Sequence, residues 1–162
     1  MPILKISALA AVATLAATAA GAQPNPSRHF LEDALKGDNS EIALGQMAAR
    51  EGASRGVRAF GETLRRDHEG ARAQVLPVAQ QAGVPPTDEL MPEARQEQRK
   101  LERLHGRAFD REFARYMVKD HKKDIAEFQK QARGRGPAAD LARQTLPTLR
   151  KHLAMAQRLS RG

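Results

Sequence analysis

The side chains able to do chemistry in this 162-residue chain are few: His68, His121, His152 and Glu41. His68 and His121 each follow an aspartate, Asp67 and Asp120, and in both places a phenylalanine (Phe60, Phe113) stands seven residues before the aspartate. Neutral imidazoles with a carboxylate suit one transition-metal ion such as zinc, copper or iron. Asp67 and Asp120 would then serve as further ligands or as acceptors that orient the rings. The same residue types also suit a structural layer, in which each histidine donates to a carboxylate or carbonyl of a neighbouring helix and Asp67 and Asp120 are the partners. Both arrangements require side chains from separate helices to meet at one height.

The elements that would bring them together read as helices. After a short linker, Ser27 is the expected N-cap of a first helix, with Phe30, Leu31, Leu35, Glu41, Ile42, Gly45 and Ala48 on one side. Gly37-Asp38 is expected to interrupt it. Ser54 caps a second helix with Val57, Phe60, Leu64, His68 and Val75 on its apolar stripe, and Pro77 is expected to kink it. A turn from Gly83 to Asp88 ends that helix, and Pro92 opens a shorter one that closes at His105-Gly106. A helix from about Ala108 to Arg133 carries Phe113, Met117, His121 and Phe128 on one face. The last, from about Ala138 to Ser160, places His152 among Leu149, Leu153 and Ala156, with Pro147 as another kink. Tyr116, one turn before Asp120, is expected to hydrogen-bond it. Asp110 reads as a charge favoured by its own helix's dipole, and His29 and His105 as solvated. No segment alternates with period two. The expected fold is all-α: an antiparallel four-helix bundle with an extra short helix between helices 2 and 3.

Residues 1–22 read as a signal peptide. Lys5 precedes an apolar run from Ile6 to Ala19, and Ala20-Gly21-Ala22 offers the small-x-small cleavage pattern. The run is shorter than the roughly 20 residues of a membrane span. Cleavage after Ala22 would leave residues 23–162 as one exported, periplasmic domain. With no cysteine, neither disulfides nor thiolate ligands are available. The net charge of +8 makes attraction to an acidic protein partner or a membrane surface the alternative role. Nucleic acid is not expected, because the arginines are interspersed with acids and aromatic stacking platforms are lacking. There is no phosphate loop, nucleophile elbow or HExxH, so nothing supports a hydrolase; a non-enzymatic binding role is the leading expectation, with a mononuclear-metal redox enzyme as a third class.

Glu41-Ile42-Ala43-Leu44-Gly45, Val57 and Phe60 leading to Asp67-His68, Gly106 with Phe109-Asp110, Tyr116-Met117-Val118 before Asp120-His121, and Leu146-Pro147 before His152-Leu153 resemble one family in this order. It is the domain of unknown function 4142 family, exported bacterial proteins often labelled outer-membrane proteins. The resemblance implies a ferritin-like bundle and no particular reaction. Di-iron ferritin-like sites use Glu-x-x-His pairs, whereas Arg65, Val118 and Leu149 stand three residues before His68, His121 and His152. A di-iron centre is therefore not expected. A barrel has no strands to form it. The expectation is an exported bundle with a buried Asp/His layer, structural or holding a single ion, in metal handling or envelope stress.

Overall fold

A computed structural model of the chain describes residues 26–161. The proposed leader and its cleavage point lie outside them. The described residues form α1 (Pro26–Glu51), α2 (Arg55–Gln81), α3 (Pro92–Leu101), α4 (Gly106–Ala132) and α5 (Pro137–Leu159), with no strand among them. This is the all-α, four-helix bundle with an added short helix that the periodicity predicts. The chain makes two hairpins: α1 packs chiefly on α2, and α4 on α5. The hairpins meet mainly through α2 against α5, and α3 lies on the crossover between them.

Local chemistry explains the ends. The Ser54 hydroxyl accepts from the Val57 backbone N–H at 3.2 Å, as an N-cap should. The carboxylate of Asp110 on α4 also accepts from the Ala53 and Ser54 N–H groups, both at 2.8 Å. Asp110 thus caps α2 rather than serving its own helix's dipole. At the other end of α2, Gly83 takes φ +74°. The Val84 and Gly83 N–H groups reach back to the carbonyls of Ala79 and Gln80, closing the helix in a glycine-dependent turn. Pro77 and Pro147 lie inside helices that continue past them to Gln81 and Leu159. Each proline leaves one carbonyl in its helix without its usual donor.

Two expectations about α1 are corrected. The helix begins at Pro26, a residue suited to the first turn, so Ser27 is inside it, where its hydroxyl accepts from Gln131 Nε2. Gly37-Asp38 does not break the helix, because the polar run that follows is held from outside. Asn39 donates to the Thr87 and Glu89 carbonyls and accepts from Arg72, while Ser40 accepts from the Met91 N–H. These bonds pin the α2–α3 crossover onto α1. They outweigh the propensity cost of one mid-helix glycine, about 1 kcal/mol.

The apolar core is divided. One cluster holds Leu44, Phe60, Leu64, Phe109, Phe113 and Met117; the other holds Leu31, Leu35, Val75, Ala79 and Leu141. On each long helix, the buried polar residues fall in sequence between the two clusters: Asp38 and Glu41 on α1, His68 on α2, His121 on α4, and His152 on α5. The bundle therefore has a polar storey between two oily ones. Each fully buried Leu or Phe above or below it contributes about 1.5–3 kcal/mol by leaving water.

Candidate metal centre

The three histidines meet. Their rings are buried, His121 and His152 completely so. Ring centres lie 5.3 Å apart for His68–His152, 5.4 Å for His121–His152 and 6.1 Å for His68–His121. One ring nitrogen from each lies within 4.8 Å of the other two. An ion bound tetrahedrally at 2.0–2.1 Å from three ring nitrogens would hold the ring centres about 5.2 Å apart. The observed triangle is that size, with one side slightly open.

Each ring is fixed by its other nitrogen. His68 Nδ1 bonds Asp38 Oδ1 at 2.9 Å, His121 Nδ1 bonds the Met117 carbonyl at 3.1 Å, and His152 Nε2 bonds Asp67 Oδ2 at 3.0 Å. A carbonyl can only accept, so His121 carries its proton on Nδ1. Carboxylates impose the same logic on His68 Nδ1 and His152 Nε2. The remaining nitrogens, His68 Nε2, His121 Nε2 and His152 Nδ1, are buried acceptors with no donor. Burial, reinforced by its histidine neighbours, pushes the His121 pKa well below the usual imidazole range. Burial also brings His152 down to about 4 against the pull of Asp67. At neutral pH both rings therefore present lone pairs, not protons, to the centre. An oriented, neutral imidazole whose far N–H is held by a carboxylate or carbonyl is what metal ligation requires.

Asp67 sits at the edge of the layer. Burial raises its carboxyl pKa, but hydrogen bonds from His152, Arg66 and Lys151 outweigh this and hold it at about 2. It remains an anion that anchors His152 on α5, not the adjacent His68. Glu41 belongs to a different grouping, in which one ligand atom each from Glu41, Asp120 and His121 lies within 4.8 Å. Of the predicted set, then, His68, His121 and His152 converge, Glu41 and Asp120 adjoin them through His121, and Asp67 stands behind His152. Tyr116 lies beside Asp120, and burial followed by that carboxylate raises its hydroxyl pKa. His105 is exposed, and His29 is mostly exposed beside Asp33.

Asp38, the partner of His68, was not among the residues singled out. Its position three after Leu35 and seven after Leu31 puts it on the buried stripe of α1, and that spacing is a readable signal. Asp124, three residues after His121, was missed in the same way; burial, then Asp120, raises its carboxyl pKa well above the usual range.

Fold and site together define an all-helical bundle with a buried three-histidine cluster between its two hairpins. The chain belongs to the family described as Domain of unknown function (DUF4142), which matches residues 12–159. Among solved structures it is similar to a DUF305 fragment from Deinococcus radiodurans, with a TM-score of 0.74 and 23% identity over 86% of this chain and 98% of that one. It is also similar to CopM in the Cu(II)-bound form, with a TM-score of 0.69 and 16% identity over 83% of this chain and 95% of that one. At these identities the likeness is one of fold. No curated protein matches the sequence. No helix among the described residues is long and apolar enough to cross a membrane.

Proposed function

We propose that this protein binds a single transition-metal ion, zinc or copper, through His68 Nε2, His121 Nε2 and His152 Nδ1, and acts in metal handling as an exported binding protein rather than an enzyme. The observation that carries the reading is the set of unpartnered nitrogens. In a purely structural layer, three buried acceptors face one another with no donor, at about 1–3 kcal/mol each. A water molecule has two protons to offer three lone pairs. One cation satisfies all three. Three imidazoles favour zinc or copper over harder ions. The shared fold with a protein named for its Cu(II)-bound form supports copper as the first ion to try.

The test is the metal content of untagged mature protein, residues 23–162, purified from the periplasm without chelators. An equimolar ion is expected, lost in His121→Ala and held more weakly in His152→Ala, while helical circular dichroism is retained. Metal-free wild-type protein whose melting temperature does not respond to added Cu(II) or Zn(II) would overturn the reading.

A further inference from the structure

Glu41 is 1% exposed, yet neither of its carboxylate oxygens has a hydrogen-bond donor. Its close polar neighbours are another carboxylate, Asp120, and the ring of His121. Asp38 Oδ2 also lacks a partner. Asp38, Asp120 and Asp124, together with His68, line a cavity of about 390 Å³ bordered by α1 and α4. Asp33, Glu93 and Glu127 line it too, against Lys123 and Lys130. In a chain of net charge +8, these acids form a local concentration of negative charge. Two buried carboxyl groups facing one another are held together by a shared proton or by a cation between them, and the described residues bring no cationic side chain to Glu41.

His121 takes part in both groupings. Its Nδ1 is committed to the Met117 carbonyl, so Nε2 is its one available lone pair. One lone pair holds one ion at a time. We propose that Glu41, Asp120 and His121 form a second, carboxylate-rich position for a hydrated divalent cation arriving through the acidic cavity, and that the ion passes from there to the three histidines by exchanging Glu41 and Asp120 for His68 and His152 while His121 Nε2 stays bound. This rests on the three-histidine reading and adds a route to it. The chemistry favours that direction. Oxygen ligands and a negative cavity collect a hydrated cation quickly, whereas imidazoles hold a transition metal more selectively. No electrons move, and the ion exchanges carboxylate for imidazole ligands.

Cobalt(II) reports the two positions by colour, since nitrogen-rich and oxygen-rich coordination differ in their visible bands. Added to metal-free mature protein in a stopped-flow instrument, it is expected to load wild type as a single equivalent. Loading should slow by about tenfold or more in Glu41→Gln, and by less in Glu127→Gln, which alters the cavity wall without touching the histidines. In His152→Ala, weaker binding with an oxygen-rich spectrum should survive and then disappear when Glu41→Gln is added. Circular dichroism identifies any variant that has not folded. Wild-type loading rates in both folded carboxamide variants, binding in His152→Ala that ignores Glu41→Gln, or two cobalt ions held at once would overturn the proposal. Wild-type protein that binds no cobalt would instead remove the three-histidine reading beneath it.

Discussion

Asp67 holds no ion in the proposed site, but it decides which nitrogen of His152 can. Replacing it with Asn keeps the shape and lets an amide N–H donate to His152 Nε2, which drives the ring proton onto Nδ1, where the ion should bind. Copper or zinc affinity in Asp67→Asn is expected to fall about 10–100-fold, as for other residues that orient a ligand. Competition against a chelator measures it, and unchanged affinity would show that the His152–Asp67 bond at 3.0 Å does not set the tautomer. A second residue offers a prediction away from the metal. Glu97 on α3 is buried; burial, then the neighbouring Glu112 carboxylate, raise its pKa to about 7. Glu112, held by Arg115 and then by Lys100, is down at about 2. The folded chain therefore keeps a proton on Glu97 that the unfolded chain, with a carboxyl near 4.5, has released. Stability from this group is complete below the unfolded value and is lost as pH rises through about 7. Glu112 works the other way, its contribution present above the unfolded value and lost as pH falls towards 2. In Glu97→Gln, melting temperature should lose its decline between pH about 5 and 7 and exceed wild type above that range by on the order of 3 °C. Parallel curves for variant and wild type would assign the pH dependence elsewhere.

Among the elements, α1 and α2 touch backbone to backbone at Gly45 and Gly61. A Cβ added to Gly61 would lie 2.6 Å from both Ala49 N and Gly45 O, and neither backbone atom can yield without parting the helices. Gly61→Ala should cost about 1–3 kcal/mol in denaturant unfolding. Gly70 lies exposed on the same helix, with nothing within 4 Å of a Cβ, so Gly70→Ala should gain about 0.5–1 kcal/mol. Similar effects from the two would mean that the close helix contact carries no energy. The helices themselves were legible because Phe60, Leu64 and Val75, or Phe113, Met117 and His121, keep helical spacing over many turns. The Gly37–Ser40 stretch misled because its polar residues look like a break in isolation; their partners, Thr87, Glu89, Met91 and His68, lie 30 to 51 residues away. The site was legible in the same measure. Helical phase puts His68, His121 and His152 on buried stripes, but the phase of one helix says nothing about its neighbour's height. That is why Glu41 was grouped with all three histidines, when it adjoins His121 and Asp120. The split of roles between Asp67 and Asp38 depends on the same relative heights.

At the scale of the molecule, the two hairpins are joined by both apolar clusters, and the polar layer lies between those clusters. Many outer-face arginines are neutralised in local pairs, such as Arg65 with Glu62 and Glu69 or Arg143 with Asp140, and the excess of +8 lies in the bases beyond such pairs. Stripping the proposed ion with a chelator should leave the helices intact and lower the melting temperature, by an amount that grows with the ion's concentration over its dissociation constant. A melting temperature indifferent to chelator would sever the metal from the fold. The ligand set is divided unevenly: His68 comes from the first hairpin, His121 and His152 from the second. A bound ion would thus be a further tie between the hairpins, added to the Phe60–Phe113 and Phe30–Phe128 contacts. Without it, the polar storey is the level at which the hairpins hold each other least, between two clusters that keep them together. Amide hydrogens at that level would then exchange with solvent sooner than those beside the apolar clusters, and metal supply would set how often the bundle opens there.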